Sequence, residues 1–142
     1  MTPLETALVL AVLAQVLFTF AVMVRAGRAR FRAAREKRIK GDIALSHAGW
    51  PDDVLKLGNN MNNQFETPTL FYALSILALV LKLASLPLVV LAWAYFVLRV
   101  LHSLEHTGPN RVLRRFRIFL AGLACLGGMA LVLTGQVLVA AL

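Results

Sequence analysis

Two short rows of polar residues interrupt an otherwise apolar chain, and each row falls on one face of a helix. Lys56, Asn59, Asn63 and Glu66 are spaced three, four and three apart, the interval that aligns side chains along a helical face. Asn60 and Asn62 flank them. A carboxylate with amides and an ammonium beside it can hold a zwitterionic ligand. The same groups can also hydrogen-bond neighbouring helices and fix their packing. Spacing alone leaves both readings open. Tyr95, Arg99, His102 and His106, spaced four, three and four, form the second row. Arg99 can pair with Glu66 across a bundle. His102 and His106 have the spacing of a metal pair, but no H-E-x-x-H motif surrounds them and no third ligand is evident, so no metal is expected. Ser103 adjoins His102, yet adjacent helical residues point in different directions, so no nucleophile–base pair follows. Cys125 lies among Ala124, Gly127 and Gly128 and reads as a packing residue rather than a reactive thiolate.

These rows need elements to carry them, and the composition says which kind. The chain has 142 residues, 59% hydrophobic and 15% charged, against roughly 45–50% and about 25% in soluble domains. That excludes an ordinary water-soluble globule and a disordered chain. A single cysteine excludes an internal disulfide. A bilayer core of about 30 Å needs roughly 20 helical residues. Four segments are read as spans, expected at 3–24, 60–82, 86–106 and 115–141. The second is half polar: it reaches full length only if the stretch 59–66 continues the helix below Leu70. Pro87 suits a first turn. Ala121, Gly122, Cys125 and Gly128 form a small-residue face on the last helix, suited to close packing. The prediction is a single all-α domain over 1–142, an integral membrane four-helix bundle.

Charge orients it. Nine basic residues, from Arg25 to Lys56, lie between spans one and two, and five (Arg99, Arg111, Arg114, Arg115 and Arg117) lie around the third connection. That is 14 of 15, with only Lys82 elsewhere, so both basic regions face one side, and the positive-inside rule makes it the cytoplasm. The net charge of +8 thus serves orientation and contact with anionic headgroups. The basic stretch has one aromatic, Phe31, so no stacking platform for nucleic acid is visible. The first charged side chain is Glu5 and no basic segment precedes the first span, so a retained anchor is expected rather than a signal peptide. The first helix is expected to run on through 25–40 and end at Gly41, with a turn at 49–52 before the second.

The chain resembles the MAPEG family, membrane-associated proteins of eicosanoid and glutathione metabolism, and most closely its bacterial branch. Two motifs carry the resemblance. N-x-x-E followed by proline is matched by Asn63, Glu66 and Pro68, within the stretch 63–74. R-x-x-H-[ST], then R-x-x-x-F-x-x-G, is matched by Arg99, His102 and Ser103, then Arg115, Phe119 and Gly122. Where family members carry an arginine four residues before the asparagine, this chain has Asn59, with Lys56 one turn earlier; where a tyrosine is common seven residues after the helix-three arginine, it has His106.

The resemblance implies four spans with both termini periplasmic, in a bacterial inner membrane, and a homotrimer with sites between subunits. It implies glutathione as co-substrate, held by the helix-two asparagine and glutamate, with Arg115 stabilising the thiolate. The expected reaction is thiol transfer to a lipophilic electrophile, or reduction of a lipid hydroperoxide. Lys56, Asn59, Asn63 and Glu66 are expected to hold the ligand's charged ends, with Arg99, His102 and His106 on the opposite wall. The alternative is a non-enzymatic membrane protein of the same fold that binds a lipid, a small ligand or a protein. Convergence of Arg115 with Asn63 and Glu66 on one cavity favours the thiol site.

Overall fold

The computed structural model describes residues 1–41, 43 and 49–142, whose regular structure is entirely helical. Helix α1 (Pro3–Arg35) starts at a locally encoded cap. The Glu5 N–H donates to the Thr2 hydroxyl at 3.2 Å, and the Thr2 N–H donates to the Glu5 carboxylate at 2.7 Å. This reciprocal pair satisfies donors that a helix start leaves open. At 33 residues the helix is about 50 Å long, well beyond a hydrocarbon core of about 30 Å.

α1 stops before the expected Gly41. Lys37 adopts a left-handed φ of 54°, its N–H bonds Ala34 O at 3.1 Å, and the Arg38 N–H bonds Ala33 O at 2.9 Å. That is a Schellman closure with lysine in the place glycine usually takes. Beyond it, the Lys40 N–H bonds Gly49 O at 2.9 Å, and a Cβ on Gly49 would lie 2.3 Å from Lys40 O, so only glycine fits there.

The second rod is broken. It consists of α2 (Asp52–Asn62), a 3-10 turn (Asn63–Phe65) and α3 (Thr67–Val80), with Glu66 at φ −94° and ψ −99° between them. Pro68 explains the break: it has no N–H for the Gln64 carbonyl, and its ring clashes with that carbonyl in a continuous helix. The uninterrupted span expected over 60–82 is therefore two segments, and α3, at 14 residues, covers only about 21 Å. α3 closes like α1, with Lys82 at φ 57° and the Leu83 N–H on Ala78 O at 2.8 Å. α4 (Leu86–Thr107) and α5 (Val112–Ala140) follow, and α1, α4 and α5 are each long and apolar enough to cross a membrane.

The core gathers Leu8 and Ala11 of α1, Phe71 and Ala78 of α3, Leu88, Ala92 and Tyr95 of α4, and Leu126, Met129 and Leu133 of α5. Leu17, Phe20, Val80 and Leu131 stay exposed, as suits a surface that meets lipid. α5 lies against α4 through small residues. Gly122 faces the Tyr95 ring and Gly128 faces Leu91, where added Cβ atoms would sit at 3.8 and 3.2 Å. Cys125 is half-buried against the core, while Ala121 is exposed and turns away from that face.

A polar layer crosses the bundle. Gln15 Nε2 donates to Thr19 Oγ1 at 3.4 Å and to Gln64 Oε1 at 3.3 Å; Gln64 Nε2 donates to Asn60 O at 3.3 Å; Asn60 Nδ2 donates to Ser103 Oγ at 2.8 Å. The buried polar face of the second rod is thus Asn60 and Gln64, and it bonds α1 and α4 together.

Candidate functional site

The second polar row is carried as its spacing requires: Tyr95, Arg99, His102 and His106 are all buried on one face of α4. Arg99 does not pair with Glu66. Its Nη2 donates to the Asn63 carbonyl at 2.6 Å and its Nη1 to Thr67 Oγ1 at 3.5 Å, while the Tyr95 hydroxyl donates to the same Thr67 oxygen at 3.1 Å. Where the chain leaves the helix at Glu66, the Asn63 carbonyl lacks the Thr67 N–H that a continuous helix would supply, and a freed carbonyl inside a bundle needs a donor. Arg99 supplies it. Glu66 is exposed and makes no ion pair among the described residues.

The first row does not survive as one face. Asn63 keeps helical register with α2, its N–H on Asn59 O, but the non-helical dihedral angles at Glu66 end that register. Lys56 is exposed and borders no cavity with them, and Asn59 lines a separate crevice of about 50 Å³ with Arg30, Trp50 and Asn62.

Asn63 and Glu66 instead meet α4 and α5. They line a cleft of about 280 Å³ with His102, His106, Val112, Arg115, Phe116 and Phe119. Arg99 lies behind this cleft, beside a cavity of about 10 Å³ whose lining includes His102 and Phe119. His102 is 5% exposed, and neither ring nitrogen has a partner among the described residues. Both nitrogens are themselves buried, so the His102 ring borders the cleft with two unpartnered polar atoms beneath its surface. The His106 ring meets it edge-on at 5.8 Å, and His106 Nδ1 lies 3.5 Å from Asn63 Nδ2. Asn63 is itself held by donating to Asn59 O at 2.9 Å.

Arg115 comes from the first turns of α5 and is half-buried. Its Nη1 donates to Asn110 Oδ1 at 2.8 Å. The neighbouring basic residues go elsewhere: Arg111, Arg114 and Arg117 are exposed, and Arg114 Nε pairs with Glu105 Oε2 at 3.4 Å. The cleft therefore combines a cation, a carboxylate, an amide and two imidazoles with a phenyl wall. Such a set binds a small charged molecule at one end and an apolar body at the other.

Sequence reasoning missed Phe116, Thr67 and Asn110 here. Phe116 lies one helical turn before Phe119 and follows from that spacing. Asn110 follows Gly108 and Pro109 in a turn, but nothing local marks its contact with Arg115.

No curated protein and no solved structure matches the chain. A model of the MAPEG family matches residues 8–135. That stretch holds the broken second rod and every residue lining the cleft, so the chain belongs to the MAPEG family.

Proposed function

We propose that the protein is a glutathione-type thiol transferase or peroxidase that acts on lipophilic electrophiles or lipid hydroperoxides. The observation that carries this reading is the convergence of Arg115 with Asn63, Glu66, His102 and His106 on one cleft. Arg115 faces the sulfur, where a cation favours the thiolate, the nucleophilic form. Glu66 takes the ammonium end of the tripeptide, and Asn63 and the imidazoles bond its amides and carboxylates. Phe116 and Phe119 receive the apolar substrate. Conjugation forms a carbon–sulfur bond as the thiolate attacks the electrophile, which expels its leaving group with the bonding pair or, at an activated double bond, opens the π bond and takes up a proton on carbon. In the peroxidase reaction two thiols become one disulfide while the hydroperoxide becomes an alcohol and water. Lys56 and Asn59 stand outside this cleft and have no part in the proposed site. The protein works as a homotrimer in a bacterial inner membrane.

Glutathione binding to the purified protein, followed by an ultraviolet scan for thiolate, tests the reading. Arg115→Ala should abolish the thiolate band in a protein that stays folded and inserted. Arg114→Ala and Arg117→Ala should leave it in place. Absence of the band in the parent protein, or equal losses in all three variants, refutes the enzyme and favours a non-catalytic member of the fold.

A further inference from the structure

We propose that Asn110 is a positioning residue that holds the Arg115 guanidinium over the cleft through a neutral acceptor; the inference rests on the role given to Arg115 above. A free arginine side chain has many rotamers, so an unheld Arg115 samples many positions. Asn110 Oδ1 fixes it with a hydrogen bond of 2.8 Å. An amide can orient a guanidinium without neutralising it, whereas a carboxylate both orients and competes for the charge.

The turn between α4 and α5 makes that distinction between two adjacent arginines. Arg114 goes to a carboxylate, Glu105 Oε2, at 3.4 Å, and Arg115 goes to an amide. Glu105, 6% exposed, also accepts the Arg111 backbone N–H on Oε1 at 3.1 Å, and its carbonyl accepts the Asn110 N–H at 2.8 Å. Asn110 sits at a left-handed φ of 53°, a conformation asparagine tolerates better than most residues. One buried glutamate thus builds the turn and takes Arg114, and the asparagine at the turn is left to aim Arg115. The full charge of Arg115 stays available to a ligand anion.

Two variants separate aiming from turn-building. Asn110→Gly keeps the left-handed backbone and removes the acceptor; Asn110→Asp keeps an acceptor and adds a charge. In purified protein with glutathione, both should raise the apparent pKa of the bound thiol, by about one unit. The rate at which phenylglyoxal modifies Arg115, read by peptide mass, should move in opposite directions. It rises several-fold in Asn110→Gly, where the guanidinium is released, and falls in Asn110→Asp, where it is ion-paired. Parental modification rates in both variants overturn the proposal, because a residue that only shapes the turn is replaceable by either. Absence of thiolate in the parent refutes the thiol reading alone, and the modification rates still decide whether Asn110 holds Arg115.

Discussion

Arg99 and Glu66 show how far a charged pair read from spacing can mislead. Both lie where the rows of polar residues put them, but the arginine is used on backbone, with Nη2 on the Asn63 carbonyl at 2.6 Å. Removing it should therefore hurt folding, and removing Glu66 should not. Arg99→Met strips the charged donor from a half-buried carbonyl and should cost about 1.5–3 kcal/mol. Glu66→Gln, at an exposed site with no ion pair, should stay within about 0.5 kcal/mol of the parent while weakening glutathione binding. Denaturation and calorimetry on the two variants decide this, and equal destabilisation would restore the ion pair. A second charge contact lies outside the membrane segments, where Arg38 Nη1 donates to Asp53 Oδ1 at 3.1 Å. This hydrogen bond holds the Asp53 carboxyl below its ordinary value of 3.8. A lowered folded-state pKa contributes stability that is present above 3.8 and is lost as pH falls through the lowered value. Both groups are exposed, so the contribution is small and screened by salt. Arg38→Ala should move the Asp53 titration midpoint up toward 3.8, as read from its carboxyl carbon shift.

At the scale of elements, the break in the second rod sets where Glu66 meets the cleft beside Asn63, and Pro68 causes it. Pro68→Ala restores the missing N–H and should let α2 and α3 join into one helix. Proline early in a helix is well tolerated, so stability should change by less than about 1 kcal/mol. Glutathione affinity should fall roughly ten- to a hundredfold, the equivalent of one lost charge-assisted contact. Higher helical content in circular dichroism with affinity unchanged would show that the break does not build the site. Much of this architecture was legible in the sequence. Hydropathy located the apolar segments, the 3.6-residue period put Arg99, His102 and His106 on one face, and small residues marked where α5 meets α4. Pro68 marks the break in the second rod, but how the broken ends are held was not legible, because the Asn63 carbonyl is satisfied by an arginine 36 residues away, which no local window contains. The ends of α1 and α3 were hidden for a related reason. Lys37 and Lys82 take left-handed conformations that their residue type does not signal, since the closing hydrogen bonds set the backbone there. Gln15 and Thr19 interrupt the apolar sequence of α1, and only packing shows them joined to Gln64 and Asn60.

For the whole molecule, the exposure of the cleft bears on assembly and orientation, and both can be tested. Glu66 and Phe116 lie uncovered on its rim, so a second copy seated there would close the cleft and exclude water from the sulfur. A mass measurement in mild detergent should give three chains of 15.6 kDa, and monomer alone would count against the trimer. Orientation is tied to chemistry more tightly. The cleft is built from the C-terminal turns of α4 and the N-terminal turns of α5, the end of the bundle that also holds 14 of the 15 basic residues. The positive-inside rule predicts that end on the cytoplasmic side; a thiol co-substrate would be kept reduced there, whereas a periplasmic cleft would face an oxidising compartment. One prediction joins the charge distribution to the thiol supply. In a Cys125→Ser background, single cysteines at Lys40, Gly108 and Lys82 are exposed to an impermeant thiol reagent added to intact cells. Lys82→Cys should label, and Lys40→Cys and Gly108→Cys should label only after the membrane is opened. The reverse pattern would put the cleft on the oxidising side, and both the topology and a glutathione-dependent reaction would fall with it.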